Sequence, residues 1–417
     1  MVELQMVAQQ IRVKRRIAVI GGGAAGFFAA IHAASPDTEV VLFEKSNKLL
    51  SKVRVSGGGR CNVLHHCPYA SELIKAYPRG GRSLKKAFGR FGYPEARAWF
   101  EEQGLELKVE ADGRVFPKSD SSESVIQVLE KAAQKAGVRI QMQKDLIQLE
   151  ATENGYQLQF RDRSLYDCEV VILALGGQPK ENGYAFLKDF DLNWVAPCPS
   201  LFTFNVPQSP LKDLMGLSVP NAWVQIPATK WKEQGPLLIT HWGFSGPAVL
   251  KLSAWYAPDL KERNYQFPIL INWLGLSEEE ARTQLQEYFS AHPAKGVANS
   301  RAFDLPSRLW KAILQLAEVQ ESKSNRDLSK KEFNRLLEFL LRSPFNVSGK
   351  TTFKEEFVTA GGLDLRELDM QTYALKKYPG LYAIGEFVNV DAITGGYNFQ
   401  HAWTSAFLAG RAAAQLN

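Results

Sequence analysis

The sequence predicts an α/β fold in which a parallel sheet is interrupted by a long insertion. A short apolar run, a glycine-rich turn and an alanine-rich stretch follow one another over residues 17–34, as in a strand–turn–helix unit. Further apolar runs at residues 170–175 and 381–384 have the composition of strands buried on both faces. Prolines and strand-like segments set in after about residue 190. We therefore predict a discontinuous α/β domain with a β-rich segment inserted into it.

The predicted elements of the first part follow in order along the chain. Residues 17–20 form a strand, residues 26–34 a helix, and residues 39–43 a second strand that ends at Glu44. A hairpin over residues 105–116, a helix over 122–136 and a strand over 138–141 come next. Short strands over 146–151 and 156–161 then precede the buried strand that begins at residue 170.

The insertion changes character along its length. Residues 200–206 and 219–226 resemble strands, whereas residues 277–343 have helical periodicity with many charges. An extended segment over 351–360 leads back to the α/β pattern. We predict a discontinuous domain over 1–190 and 350–417, a β-rich domain over 191–275 and a small helical domain over 276–349.

Composition restricts the classes of protein to which the chain can belong. The 50 basic and 44 acidic residues give a net charge of +6, which is compatible with an anionic partner but does not require one. No apolar run reaches the roughly 18 residues of a membrane span, and residues 1–10 lack the apolar core of a signal peptide. The 4 cysteines are too few for a disulfide framework. We expect a cytoplasmic protein without a membrane segment, and the sequence indicates no oligomeric state.

The glycine-rich turn has the spacing Gly21-x-Gly23-x-x-Gly26. Glycines so spaced let a strand turn sharply into a helix and bring backbone N–H groups to a pyrophosphate. Glu44, at the end of the second strand, is placed to accept hydrogen bonds from ribose hydroxyls. These features predict a Rossmann dinucleotide site, and the acid favours FAD or NAD over NADP.

A second glycine signature distinguishes FAD from NAD. Gly385-Glu386 ends a predicted strand, and Gly395-Gly396 opens a helix rich in small residues. The N-terminus of that helix offers N–H groups and partial positive charge to the pyrimidine end of a flavin, which becomes anionic on reduction. Glu386 is placed for the ribityl or pyrophosphate region. We predict FAD; the alternative is a helix that only packs closely through its glycines.

Residues 56–62 read Ser-Gly-Gly-Gly-Arg-Cys-Asn. Three consecutive glycines cost conformational entropy, so they indicate close approach of the backbone to a ligand. Arg60 is a candidate for neutralising phosphate or flavin charge, and Cys61 or Asn62 for facing the ring system. A flexible surface loop is the alternative. The nearby His65, His66 and Cys67 lack the paired spacing of a metal site, so no metal is predicted.

Several motifs in order resemble those of the bacterial HI0933-like flavoproteins, also called YhiN-like or BaiN-like. The motifs are residues 56–62, Gly-Arg-Val-Phe-Pro at 113–117, Ala-Leu-Gly-Gly at 174–177, Thr-His-x-Gly-x-Ser-Gly-Pro at 240–247, Gly-Glu at 385–386 and Gly-Gly-Tyr-Asn-Phe-Gln at 395–400. The resemblance runs from about residue 15 to 415. It implies an FAD domain of the glutathione-reductase type, an inserted β-barrel-like domain and a small helical domain.

The predicted FAD-binding residues combine this resemblance with the glycine motifs. They are Gly21, Gly23, Ala24, Ala25, Gly26, Glu44, Lys45, Ser56, Gly57, Gly58, Gly59, Arg60, Cys61, Asn62, Ala174, Gly176, Gly177, Gly385, Glu386, Gly395, Gly396, Tyr397 and Asn398. No second glycine motif of this kind is present, so NADH or NADPH is expected only as a transient reductant of the flavin, unless another donor serves.

The resemblance also implies an oxidoreductase activity. The family is associated with reduction of activated C=C bonds, in steroid-like enones and in a uracil ring of ribosomal RNA, and with an aminoacetone oxidase. In the reductions, flavin N5 delivers a hydride and a protein acid protonates the neighbouring carbon. The candidate acids are Cys61, His241, Tyr397 and His401, each of which has a packing role as its alternative. Dihydrouridine formation in ribosomal RNA is our preferred reading; the alternatives are a small-molecule enone reductase, an amine oxidase or a non-catalytic flavin-bound RNA-binding protein.

A basic segment over residues 75–90 is a candidate RNA-binding surface. It contains six basic side chains and few acids, with aromatic residues interleaved, a combination that binds phosphates and stacks on bases. The basic residues are Lys75, Arg79, Arg82, Lys85, Lys86 and Arg90, and the aromatic residues are Tyr77, Phe88, Phe91 and Tyr93. A solvated basic helix face is the alternative.

Overall fold

The computed structural model describes residues 14–178, 181–351 and 358–416. The chain divides into two compact units, one over Met1–Pro197 and Thr359–Asn417 and the other over Cys198–Val358. The predicted extended segment at 351–360 lies largely outside the described residues, as do residues 1–13 of the predicted first domain. The finer division of the insertion into a β-rich and a helical domain stays a prediction.

The strands and helices of the described residues are numbered in chain order. The strands are β1 (Arg15–Ile20), β2 (Thr38–Glu44), β3 (Leu64–His65), β4 (Leu107–Val109), β5 (Arg114–Pro117), β6 (Arg139–Met142), β7 (Leu146–Thr152), β8 (Gly155–Phe160), β9 (Leu165–Cys168), β10 (Val170–Leu173), β11 (Trp194–Ser200), β12 (Thr203–Asn205), β13 (Ser218–Gln225), β14 (Lys232–Thr240), β15 (Gly243–Ser245), β16 (Gln266–Asn272), β17 (Ser343–Ser348), β18 (Lys350–Thr351), β19 (Val358–Leu363), β20 (Leu368–Asp369), β21 (Ala374–Leu375) and β22 (Leu381–Ala383). The α-helices are α1 (Ala24–Ala33), α2 (Ser51–Val55), α3 (Ala70–Leu73), α4 (Gly81–Arg90), α5 (Tyr93–Glu102), α6 (Ser122–Lys135), α7 (Pro247–Trp255), α8 (Ala257–Glu262), α9 (Glu278–Ala291), α10 (Ser307–Leu316), α11 (Lys330–Arg342) and α12 (Tyr397–Ala414).

The first unit is organised by a seven-stranded sheet of order β20-β21-β22-β10-β1-β2-β6. Its strands are parallel from β22 to β6, with Ile17 beside Val170 and Ile20 beside Leu173. All four residues of β10 are buried, as expected for a parallel strand covered on both faces. This arrangement confirms the predicted α/β class, and in it β22 pairs with β10.

Helices α1 and α12 pack closely against each other beside this sheet. Seven of the ten residues of α1 are buried, and all seven are alanine, glycine or phenylalanine. At Gly410 of α12, a Cβ atom would lie 2.6 Å from the carbonyl oxygen of Ala29. Small residues on both helices therefore set the spacing between two segments that are far apart in the sequence.

The shorter elements of the first unit agree with the predicted hairpins. Strands β4 and β5 pair antiparallel, and β3 extends them to three strands. Strands β7, β8 and β9 form an antiparallel meander. Helix α6 begins at a Ser121 cap, whose hydroxyl accepts a hydrogen bond from the Glu123 amide.

The second unit has a seven-stranded sheet of order β17-β16-β13-β14-β15-β12-β18. The strand predicted over 200–206 is divided, because Leu201 adopts a positive φ of 55° between β11 and β12. Helices α9 and α11 begin with capping boxes at Ser277 and Ser329. They share one hydrophobic core with the sheet. Closure of this sheet into a barrel stays a prediction.

Over the part of the chain that the structure describes, no helix combines the length and the apolarity that crossing a bilayer requires.

Candidate functional site

In the turn between β1 and α1, Gly21 and Gly26 pack against backbone atoms, whereas Gly23 faces open space. A Cβ atom at Gly26 would lie 1.8 Å from the Gly21 carbonyl oxygen, and one at Gly21 would lie 2.3 Å from the Ala174 carbonyl oxygen. Gly23 has an ordinary extended backbone, with φ −89° and ψ −172°. No described atom lies within 4 Å of a Cβ placed there. The space in front of Gly23 is therefore open to a ligand, whereas in the first turn of α1 Ala24 is half-buried and Ala25 is buried.

Glu44 lies at the carboxyl end of β2, beside this turn. Its carboxylate accepts hydrogen bonds from the amides of Gly22 at 2.7 Å and Ser46 at 2.9 Å. These bonds fix the carboxylate against the glycine turn, at the position where a ribose is expected. The following residue, Lys45, is exposed.

A cavity of about 340 Å³ opens next to Glu44. Its lining includes Ile20, Gly21, Phe43, Glu44, Lys45 and Leu146. The cavity lies at the carboxyl ends of β1 and β2, where nucleotides bind in open parallel sheets. Its position fits the adenosine half of a dinucleotide.

The two glycine signatures meet at Gly385. A Cβ atom there would lie 2.9 Å from the Cβ atom of Ala25 in the first turn of α1. The Gly385 amide donates a hydrogen bond of 3.0 Å to the Ser405 hydroxyl on α12. The fold thus places the Gly385-Glu386 signature directly against the glycine-rich turn that lies at the other end of the sequence.

Glu386 is held by partners that the sequence did not indicate. Its carboxylate accepts a hydrogen bond of 2.8 Å from the Thr359 amide and forms an ion pair of 2.6 Å with Lys52. A Cβ atom at Gly177 would lie 2.6 Å from this carboxylate, so the close approach of the 174–177 segment requires a glycine there. Gly176 beside it has a positive φ of 71°. The predicted residues Gly177 and Glu386 therefore lie together, whereas Ala174 lies beside Gly21.

The 56–62 loop curls back on itself. The Cys61 amide donates to the Ser56 carbonyl at 2.9 Å, and Gly57, Gly58 and Gly59 all have positive φ values. No described atom lies within 4 Å of a Cβ placed at Gly58 or Gly59, so this part of the loop faces open space.

Arg60 is engaged within the protein. Its guanidinium bonds Glu110 at 2.8 Å and Asp120 at 3.3 Å, and it lies 3.9 Å from the centre of the Phe116 ring. Two carboxylates of the protein thus pair with the positive charge of Arg60, for which the sequence had suggested a phosphate or flavin as the partner.

Asn62 connects this loop to the second glycine signature. With its amide oriented as its neighbours require, it donates to the carbonyls of Val115 and Leu64 and accepts a hydrogen bond of 3.1 Å from the Gly396 amide. Asn62 is buried, so these bonds replace water. The 56–62 loop and the Gly395-Gly396 turn therefore form one continuous wall.

Helix α12 begins at this wall. Gly396 precedes it with a positive φ of 94°, and within the described residues no side chain caps its first amides. The ring of Tyr397 stacks on His65 with centroids 4.4 Å apart, and His65 Nδ1 lies 3.0 Å from the Gly395 carbonyl. Asn398 turns away and bonds the backbone of Ala392 through both side-chain atoms. The helix N-terminus is free to bind negative charge.

The four candidate acids have different surroundings. Cys61 is fully buried, and burial raises the pKa of its thiol to about 12. His401 is also buried, and burial lowers its pKa to about 3, so its ring is neutral near pH 7. Tyr397 is half-buried, and burial raises the pKa of its phenol, which keeps the hydroxyl protonated. His241 belongs to the second unit, where it is exposed beside Trp242.

The basic segment differs from its prediction in its aromatic residues. Tyr77, Phe88, Phe91 and Tyr93 are all at least 95% buried in the core, so they offer no surface for base stacking. This part of the prediction is wrong, because Phe88 lies on the side of the amphipathic helix α4 that faces the core, and the other three rings pack in the same core outside that helix.

Three of the six basic side chains have partners. Arg79 pairs with the buried Asp391, Lys75 pairs with Glu72, and Arg90 bonds the Gln371 carbonyl. The other three residues are Arg82, Lys85 and Lys86, which are exposed on α4 and have no carboxylate partner among the residues described. We call these three residues the basic patch.

The residues present fit a flavin dinucleotide. The open space at Gly23 suits a pyrophosphate, the cavity beside Glu44 suits an adenosine, and the uncapped α12 N-terminus suits the anionic end of a reduced flavin. Among the described residues, no cluster of three or more His, Cys, Asp and Glu side chains is arranged to hold a metal ion.

Comparisons with known proteins agree with this geometry. The family model described as "HI0933-like protein Rossmann domain" matches residues 15–412. The chain is 29% identical over 398 residues to the ribosomal RNA dihydrouridine synthase of Escherichia coli (strain K12), covering 93% of this chain and 95% of that protein. It is 28% identical over 414 residues to the 3-dehydro-bile acid delta(4,6)-reductase of Clostridium scindens, covering 96% of this chain and 99% of that protein.

A solved structure shares the fold. The 3-ketosteroid-delta4-(5alpha)-dehydrogenase from Rhodococcus jostii RHA1 is similar with a TM-score of 0.53 at 12% identity, covering 99% of this chain and 99% of that chain. At this identity the likeness concerns the arrangement of strands and helices, which the two proteins have in common along their whole lengths.

Proposed function

Because the chain belongs to the HI0933-like family and is an FAD-dependent oxidoreductase with a Rossmann-type domain, we propose that it reduces the C5=C6 bond of a uridine in ribosomal RNA. Two relatives support reduction of a ring C=C bond. One is named a ribosomal RNA dihydrouridine synthase and the other a bile acid delta(4,6)-reductase. Their similarity to this chain is almost equal, so the choice between an RNA and a small molecule rests on the surface of the protein itself.

The basic patch is the observation that favours RNA. Arg82, Lys85 and Lys86 present three exposed, unpaired cations on one helix of the described structure. The segment before this helix contacts the second glycine signature, because the Tyr77 hydroxyl donates to the Tyr397 carbonyl at 2.6 Å. A phosphate backbone bound on α4 would therefore run beside the flavin end of the site.

The residues of the site have distinct roles in this reaction. When bound, FAD supplies a hydride to the electron-poor carbon of the substrate, and NADH or NADPH is the proposed transient reductant. The uncapped α12 N-terminus would stabilise negative charge on the reduced flavin. Tyr397 is the proposed proton donor, because its hydroxyl stays protonated near pH 7 and its ring stacks on His65 at the start of α12. Cys61 and His401 are enclosed in the core, so we assign them to packing.

The test uses purified holoenzyme, unmodified ribosomal RNA and either NADH or NADPH. We expect dihydrouridine in the product RNA, measured by mass spectrometry of digested nucleosides. The double variant Lys85→Glu/Lys86→Glu should raise KM for RNA about tenfold or more, because two phosphate contacts are lost. The double variant Lys131→Glu/Lys135→Glu changes the net charge equally at exposed positions of α6 and should leave KM unchanged.

Two results would count against the proposal. Absence of dihydrouridine with either nicotinamide would exclude the RNA reductase, and turnover of a 3-keto-4-ene steroid in the same assay would favour the small-molecule enone reductase instead. Equal effects of the two double variants on KM would show that the basic patch is only solvated surface.

A further inference from the structure

A buried ion pair connects the segment just before α4 to the segment that leads into Gly395-Gly396. Arg79 Nε donates to Asp391 Oδ1 at 2.5 Å, and its Nη2 donates to the other carboxylate oxygen. The Asp391 side chain is 0% exposed and the Arg79 side chain 16%. This is a two-pronged pairing of a guanidinium with a carboxylate, the arrangement that fixes both groups most firmly.

The pair belongs to a larger seam between two chain segments. Arg79 and Asp391 also form an isolated antiparallel backbone bridge. The Ile393 amide donates to the Ala76 carbonyl at 2.9 Å, and the Tyr77 hydroxyl donates to the Tyr397 carbonyl. Residues 76–79 thus hold the stretch from 391 to 397 along its whole length.

The same stretch leads into the N-terminus of α12. Asn398 bonds both the amide and the carbonyl of Ala392, at 3.0 and 3.1 Å, so the chain from Ala392 to Asn398 is closed into a loop that begins one residue after Asp391. A shift of Asp391 would move Gly395 and Gly396, and with them the uncapped amides that face the flavin end of the site.

Buried ion pairs contribute little net stability, because desolvation offsets most of their attraction. In this protein, the pair lies where it can fix one geometry of the 391–397 stretch. We propose that Arg79 and Asp391 are positioning residues that set the place of the α12 N-terminus and thereby tune the reduction potential of the bound flavin. This inference rests on the FAD site of the proposed function, but not on the identity of the substrate.

The direction of the effect follows from charge. A well-placed helix N-terminus stabilises the anionic reduced flavin and so raises the potential. Weakening the pair loosens the 391–397 stretch, so the potential should become more negative. The same change should lower kcat more than it raises KM for the substrate, because neither residue is expected to touch it.

The experiment compares Asp391→Asn and Arg79→Lys holoenzymes with the wild-type protein. We expect both variants to have a more negative flavin potential and a shifted visible spectrum, with Arg79→Lys the milder because it keeps the charge and loses the two-pronged geometry. We also expect an FAD Kd raised about tenfold in Asp391→Asn. These measurements need no RNA, so their outcome is independent of the dihydrouridine assay.

The matched control is Glu169→Gln. It removes the carboxylate that pairs with Arg16 at the opposite end of the parallel sheet. This variant should keep the wild-type potential and spectrum, whatever it does to the melting temperature. Variants of Arg79 and Asp391 that melt at lower temperature but keep the wild-type potential and spectrum would overturn the proposal and leave the pair a purely structural role. An equal shift of potential in Glu169→Gln would overturn it as well.

Discussion

Replacing Gly23 by alanine should weaken FAD binding without unfolding the protein. The backbone at Gly23 is extended, and no described atom lies within 4 Å of the new methyl group. Alanine is a poorer residue than glycine before a helix, which costs about 0.5–1 kcal/mol. Alanine also restricts the unfolded chain, which stabilises the folded protein by about 0.4–1 kcal/mol. We therefore expect the free energy of unfolding of the FAD-free protein to change by less than about 1 kcal/mol.

The methyl group would occupy the space in which a pyrophosphate approaches the amides of the turn. Each charge-assisted hydrogen bond lost there costs about 1.5–3 kcal/mol. The loss of one such bond raises the Kd for FAD roughly 10- to 100-fold. Gly26→Ala is the comparison, because its methyl group would meet the Gly21 carbonyl oxygen at 1.8 Å. That overlap should destabilise the FAD-free protein by about 1–3 kcal/mol or more.

The assay has two readouts on each variant. Urea unfolding of the FAD-free protein gives the free energy of unfolding, and quenching of FAD fluorescence on titration gives the Kd. The reasoning is refuted if Gly23→Ala binds FAD as tightly as the wild-type protein. It is refuted equally if Gly23→Ala loses as much stability as Gly26→Ala, since Gly23 would then be a packing glycine.

Two further predictions concern single side chains. Tyr397→Phe should slow substrate reduction about 100-fold or more by removing the proton donor, while reduction of the flavin by nicotinamide keeps its rate; stopped-flow measurement of the two half-reactions checks this, and equal slowing of both would contradict it. Burial lowers the pKa of His32 to about 4 from 6.5, so below pH 6.5 the unfolded chain takes up a proton that the folded protein does not. The wild-type protein should thus lose about 1.6 kcal/mol between pH 6.5 and 5 through this residue. Urea unfolding at both pH values should show that loss removed in His32→Leu but retained in a variant of the exposed His292, and an unchanged loss in His32→Leu would exclude the assignment.

The Rossmann half of the fold was predictable because its determinants are local. The glycine turn, the alanine-rich helix and Glu44 follow one another within one strand–helix–strand unit, and the spacing of the glycines is dictated by backbone contacts inside that unit. The meeting of Gly385 with Ala25 was predictable for a different reason. A single extended cofactor that binds both signatures requires them to lie close together in the fold, although they are far apart in the sequence.

The surroundings of Arg60 and the basic segment could not be predicted from local pattern. Arg60 finds Glu110 and Asp120 on other segments, and Arg79 finds Asp391 only through tertiary folding. A charged residue near a glycine loop resembles a ligand contact until its internal partners are known. The burial of Phe88 did have a signal, because Leu84, Ala87 and Phe88 recur on one face of α4 at helical spacing.

Helices α1 and α12 have a consequence for how the protein is made. α1 begins at Ala24, at the proposed pyrophosphate end of the site, whereas α12 begins at Tyr397, at the proposed flavin end. During synthesis the first half of the cofactor site leaves the ribosome long before the second. A chain terminated before Tyr397 would contain the glycine turn yet lack the amides that we propose to hold the flavin. On the proposed site, flavin binding, seen as yellow colour, therefore requires the completed chain as well as correct folding.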